Sequence, residues 1–218
     1  MQLRSGLFIT LEGGEGVGKT TQQALLAGRL QKEGYTCLCT REPGGTVLGQ
    51  KLRALLLHGD PIEPLAELLL YAADRAEHVQ TRIHPALAAG QVVVCDRFTD
   101  STLAYQGYGR GLDLNLIRQV NQLATGNLQP HLTLWLDLPP QLGLKRACSR
   151  TTSPAGPASL PGDRMEQAHL SFHQRLYQGF QELAAAEPQR IVRIDAQGSP
   201  QEVAERIWAV VKSRLAQG

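Results

Sequence analysis

The sequence is poor in several features that would each place it in a different class. No apolar run approaches the roughly 18 residues that a membrane-spanning helix needs. The apolar stretch at residues 7–11 is short and leads straight into glycines, so no secretory signal is expected. Charge of one sign is nearly balanced by the other. Lysine and arginine total 22 against 20 acidic residues, a net charge of +2. So small an excess does not argue for a nucleic-acid partner. Cysteine is scarce: only Cys37, Cys39, Cys95 and Cys148 occur, with no C-x-x-C pair and too few neighbouring ligands for a metal site. They read as small buried thiols in a reducing cytoplasm. No repeat and no second domain stand out along the chain.

What remains is a chain of 218 residues, 42% hydrophobic and 19% charged, long enough for one domain with a sizeable core. Five short runs rich in Val, Ile, Leu and Thr read as strands: LFITL (7–11), YTCLCT (35–40), VVVC (92–95), LTLWLDL (132–138) and RIVRID (190–195). They are mostly apolar on both faces, as in strands buried on both sides. Between them lie helical spacings over residues 20–32, 65–89 and 114–124, each closed by a glycine (Gly34, Gly90, Gly126), and a last one over 200–215. Strand–helix alternation predicts a parallel sheet covered by helices, a three-layer α/β/α sandwich. Residues 139–150 suggest another helix. Residues 151–163 hold three prolines and two glycines and cannot continue it. A loop this long inside a compact domain is usually functional or disordered.

The stretch LEGGEGVGKTTQQ (11–23) contains Gly13-x-x-x-x-Gly18-Lys19-Thr20 between a predicted strand and a predicted helix. This is a P-loop. Its residues, Gly13, Gly14, Glu15, Gly16, Val17, Gly18, Lys19, Thr20 and Thr21, are expected to wrap the phosphates of ATP. Backbone N–H groups converge on the oxygens, and the helix N-terminus adds free donors. Lys19 supplies the charge for the β- and γ-phosphates, and the Thr20 hydroxyl can ligate Mg²⁺. Asp96, at the end of the third strand, is the expected carboxylate facing that metal, directly or through water. An ion pair or a helix N-cap is its structural alternative.

Two classes of P-loop protein compete. A GTPase-type switch would carry an Asn-Lys-x-Asp motif, which the chain lacks. A phosphotransferase with two anionic substrates explains the arginines instead. Arg41, Arg75, Arg97, Arg146, Arg150 and Arg164 all fall in or beside segments expected near the C-terminal edge of the sheet, where open α/β sheets bind ligands. Tyr71 and Arg75 stand at i and i+4 of one helix and share a face. Core packing for Tyr71 and a surface pair with Asp74 or Glu77 for Arg75 are the alternatives.

These segments also carry a family resemblance. LEGGEGVGKTT, TREPGGT, LLLYAADRAEHV, DRFTDSTLAYQG, LDL with GLKRA, DRMEQ and IDA occur in the order and approximate spacing of the thymidylate kinases, from about residue 8 to 196. The resemblance implies a P-loop nucleoside monophosphate kinase fold with strand order 2-3-1-4-5 and a lid over about 148–164. It implies a cytoplasmic homodimer that makes dTDP from dTMP and MgATP without a general base. By the same resemblance Tyr71 stacks on thymine and Arg75 reaches a base carbonyl. Arg97 grips the acceptor phosphate, Arg41 lies near it, and Ser101, Thr102, Tyr105 and Gln106 line the deoxynucleotide. Ser101 and Thr102 are equally readable as helix caps. Tyr105 stands where a ribose 2′-hydroxyl would be, and Glu15 is aimed at the 3′-hydroxyl. Arg146 flanks the adenine, with Asp195 and Ala196 at its edge. Some family members carry a catalytic arginine next to the P-loop carboxylate. Here that neighbour is Gly16, so the lid is expected to supply it, from Arg150 or, second, Arg164. A kinase for UMP or CMP, or a switch-like P-loop NTPase, are the competing readings.

Overall fold

The computed structural model describes residues 6–151 and 168–216. Five strands, β1 (Leu7–Glu12), β2 (Cys37–Arg41), β3 (Val92–Asp96), β4 (Leu132–Asp137) and β5 (Ile191–Asp195), form one sheet in the order β2-β3-β1-β4-β5. Every pair is parallel. The expected topology is therefore present. Register places Leu11 opposite Asp96 and Leu134, so the C-terminal ends of β1, β3 and β4 converge.

The sheet alternates strictly between two cores. Ile9, Leu11, Val92 and Val94 point to one face and pack with Leu26 and Leu30 of α1 (Lys19–Lys32) and Val203, Ile207 and Trp208 of α9 (Pro200–Leu215). Phe8, Val93 and Cys95 point to the other, against Phe98, the π-helical turn at Val79–Ile83 that continues α3 (Pro64–His78), and α4 (His84–Ala88). On that same side Trp135 meets Phe180 of α8 (Leu170–Ala186) and Ile117 of α6 (Leu114–Thr125). Central strands are mostly apolar because both their faces are covered. The edge strands depart from that expectation: Cys39 on β2 and Arg193 on β5 are exposed. The thiols are not all buried. Only Cys95 is; Cys37 is half-buried, and Cys39 and Cys148 are exposed.

Several elements differ from the sequence expectation. The helix expected over 65–89 changes pitch at Val79–Ile83. Pro85 follows, and its missing N–H and its ring forbid a regular bond to the carbonyl four residues back. The helices α2 (Val47–His58) and α8, and the short α5 (Thr99–Thr102) with a π-helical turn over Leu103–Gly109, were not separated from loops by periodicity. The helix α7 (Pro140–Thr151) runs where residues 139–150 suggested one. Gly34, Gly90 and Gly126 all take positive φ after helix ends, as expected. A capping box of Ser199 and Glu202 opens α9.

Candidate active site

The P-loop leaves β1 and enters α1 through backbone that a side chain would obstruct. A Cβ on Gly13 would stand 2.7 Å from the Leu136 carbonyl oxygen. One on Gly16, whose φ is +67°, would stand 1.9 Å from the carbonyl oxygen of Gly143 in α7. Val17 is buried in the core and anchors the loop. Gly18 is the left-handed N-cap of α1, and the space beside it is open. Lys19 Nζ donates to the carbonyls of Gly13 (3.1 Å) and Gly14 (2.7 Å) and so spans the loop. Burial and the nearby Arg97 lower its pKa to about 8.

Thr20 Oγ1 donates to Asp96 Oδ2 at 3.0 Å, while Asp96 Oδ1 is buried with no hydrogen-bond partner. An orphaned carboxylate oxygen beside a hydroxyl is a donor set that suits a hard cation such as Mg²⁺. Asp96 ends β3 and is neither a helix cap nor a member of an ion pair with a neighbouring base.

The P-loop opens on a cavity of about 220 Å³ whose walls include Arg41, Tyr71, Arg75, Arg97, Thr102 and Gln106. In its wall Arg97 Nη2 and Tyr105 Oη both donate to Oε1 of the P-loop residue Glu15 at 2.6 Å. The Arg97 guanidinium lies 4.8 Å from the centre of the Tyr105 ring. Burial raises the Glu15 pKa, but Arg97 and Lys19 outweigh it and hold the carboxyl at about 2. Glu15 is thus anionic at neutral pH and a poor base. Burial also raises the Tyr105 phenol, so it remains a donor.

Arg75 is wholly buried rather than paired at the surface. Nε donates to Glu42 Oε2 (2.8 Å), Nη1 to Asn121 Oδ1 (2.7 Å) and Nη2 to the Phe98 carbonyl (3.1 Å). His78 Nδ1 takes the other Glu42 oxygen at 2.9 Å. Glu42 precedes a cis proline in the turn after β2, so this network ties that turn to α3. Arg41 itself is exposed at the cavity rim. Ser101 lies within α5, whose N-cap is Phe98, while Thr102 stands at the N-cap position of the π-helical turn that follows but makes no side-chain capping bond there. Gln106 Nε2 donates to buried Glu67 at 2.9 Å.

Across the P-loop, Arg146 of α7 donates from Nη1 to the Ala196 carbonyl at 3.3 Å, and Asp195 accepts from the Gln197 N–H. The three residues expected at the adenine are therefore neighbours. The Arg150 side chain and Arg164 lie outside the described residues. Sequence reasoning missed Glu12, Glu42, His78 and Asn121. The signal for Glu12 was present, since a carboxylate ending an otherwise apolar buried strand is costly unless paired.

The family profile described as thymidylate kinase matches residues 11–207. A thymidylate kinase of Synechococcus sp. (strain JA-2-3B'a(2-13)) is 75% identical over 209 residues, covering 96% of each chain. One from Syntrophotalea carbinolica is 53% identical over 210 residues, covering 95% of this chain and 96% of that one. The crystal structure of thymidylate kinase from Ehrlichia chaffeensis superposes with a TM-score of 0.78 at 33% identity, over 95% of this chain and 99% of that one. With a family profile matching residues 11–207 and this extent of identity, the chain belongs to the thymidylate kinase family.

Proposed function

We propose that the chain transfers the γ-phosphoryl group of MgATP to dTMP, giving dTDP and ADP, with residues 1–218 acting as one domain under a lid at about 148–164. The observation that carries this reading is the bonding of Arg97 and Tyr105 to Glu15 of the P-loop in the wall of one cavity. A carboxylate held near pKa 2 is unsuited to proton abstraction. A phosphomonoester acceptor does not require it, because its second pKa lies near 6 and it attacks as a dianion. Catalysis is then positioning and charge neutralisation.

Within this reading the 13–21 loop and Lys19 bind the donor phosphates, and Arg146, Asp195 and Ala196 bind its adenine. Thr20 and Asp96 hold Mg²⁺, which neutralises charge on the phosphates when bound. Arg97 holds the acceptor phosphate, with Arg41 at the rim, and Glu15 orients the sugar. Tyr71, Arg75 and Gln106 line the base, Ser101 and Thr102 line the nucleotide wall, and Tyr105 excludes a 2′-hydroxyl. Gly16 leaves no room for an arginine in the P-loop, so Arg150, or Arg164 after it, supplies the lid charge. Replacing Arg150 by alanine should lower kcat by about 10³-fold or more with little change in KM.

Val47 and Leu55 of α2 and Leu65 and Leu69 of α3 are exposed and support a homodimer through these helices. Free thiols fit a reducing cytoplasm. Among the described residues no helix is long and apolar enough to cross a membrane. The test is ADP release against dTMP, dUMP, UMP, CMP and AMP. Turnover of dTMP well above the others is expected. Preference for UMP or CMP, or no turnover at all, would sink the reading.

A further inference from the structure

Arg97 is one of two described non-glycine residues with positive φ, at 71°. A side-chain-bearing residue stays in that conformation only where its surroundings over-determine it. Two consecutive peptide groups supply that constraint. The Arg97 N–H donates to the Leu11 carbonyl at 3.0 Å. The Phe98 N–H donates to Glu12 Oε1 at 2.7 Å. The other carboxyl oxygen of Glu12 lies 2.5 Å from the Ser101 hydroxyl. Ser101 Oγ in turn stands 3.4 Å from Arg97 Nη1, which also donates to the Gly13 carbonyl at 3.2 Å. Glu12 has no exposed surface and directly precedes the P-loop.

We infer that Glu12 is a positioning residue for phosphoryl transfer: its buried carboxyl clamps the left-handed turn at Arg97 and, through Ser101, aims the Arg97 guanidinium at the acceptor phosphate. This rests on the proposed role of Arg97. The chemistry at the site is specific to a carboxyl. Its two oxygens serve one backbone N–H and one hydroxyl at once. A glutamine can satisfy only one of them as an acceptor, and its amide then competes with Arg97 for Ser101. A carboxyl kept in this place at the cost of burial, which together with Asp100 pushes it up to about 8, is retained for what it holds. Asp100 is engaged elsewhere, by Arg190 at 2.7 and 2.8 Å and by Thr133 at 3.0 Å, so it does not share the clamp.

The experiment is steady-state kinetics of Glu12→Gln, with ATP affinity measured separately by calorimetry using a non-hydrolysable ATP analogue. KM for dTMP should rise at least fivefold and kcat fall at least tenfold, while the analogue Kd stays within twofold. In an Arg97→Ala background, Glu12→Gln should add less than a twofold loss, because its effect runs through that arginine. If Glu12→Gln does not fold, Glu12→Asp carries the same comparison, keeping the carboxyl and losing the reach. Unchanged kcat and KM for dTMP, an equal loss of analogue affinity, or a full additional loss on top of Arg97→Ala would each overturn the clamp. Arg97→Ala with an unchanged KM for dTMP would sink the acceptor assignment itself. An impaired Arg97→Ala with a silent Glu12→Gln would sink only the clamp.

Discussion

Glu15 sits among groups built to hold anions, and its own partners explain why. Arg97 neutralises it, Tyr105 donates to it, and Lys19 reaches the adjacent carbonyls of Gly13 and Gly14. A carboxylate already anionic and doubly bonded orients a neighbour rather than taking its proton. Glu15→Gln keeps the shape and removes the charge that holds Arg97. It should raise KM for dTMP by about tenfold, the loss of roughly one charge-assisted hydrogen bond, and leave ATP affinity within about twofold. Initial-rate kinetics with each substrate varied in turn would check this. Equal loss for both substrates would mean that Glu15 serves the loop and not the acceptor. The residue type and its place in the P-loop were legible in the sequence. Its partnership with Arg97 was not, because the two are far apart in the chain and meet only through the register of β1 with β3.

Elements meet the site at two close approaches. The first is α7 against the P-loop. A Cβ on Gly143 would stand 2.3 Å from the Glu15 carbonyl oxygen, backbone against backbone. Gly143→Ala must therefore move either the helix that carries Arg146 or the loop that carries Glu15. Overpacking of this kind costs about 1–3 kcal/mol. We expect a lower Tm and a kcat reduced by about tenfold, since small displacements of positioned groups are expensive in rate. Unchanged kinetics with a lowered Tm would show that α7 is only a support. The second approach is the turn after β2 against α3, closed by Glu42 between Arg75 and His78. Glu42→Ala would leave the Arg75 charge buried without its partner, at a cost of about 3–5 kcal/mol by chemical denaturation. The helical spacing at 65–89 disclosed α3 but not its buried face. A turn of proline and glycine gives no sign of what it will pack against, so the Glu42 network was invisible to periodicity.

Stability against pH belongs to the whole molecule, and two buried carboxyls push it in opposite directions. Glu15 has a folded pKa of about 2 against an ordinary 4.5. Its contribution is present above 4.5 and is lost as pH falls towards 2. Glu12, raised by burial and by Asp100 from 4.5 to about 8, binds its proton more tightly when folded. Its contribution is complete below 4.5 and is lost as pH rises through 8. Denaturation series at pH 5, 6.5 and 8 should show the wild type losing stability across this window and Glu12→Gln losing less. A parallel decline in both would place the titration elsewhere. The sequence by itself determined the layered α/β/α architecture and the P-loop. Those features rest on local periodicity, glycine spacing and a motif whose parts are adjacent in the chain. Only the tertiary structure decided how Arg97 and Arg75 are held. Arg97 gains its strained turn, its carboxylate partner and its clamp from strands β1 and β3 lying side by side. Arg75 gains its buried network from a turn and two helices brought together by packing. Such long-range pairings are set by burial and register, which no short stretch of sequence contains.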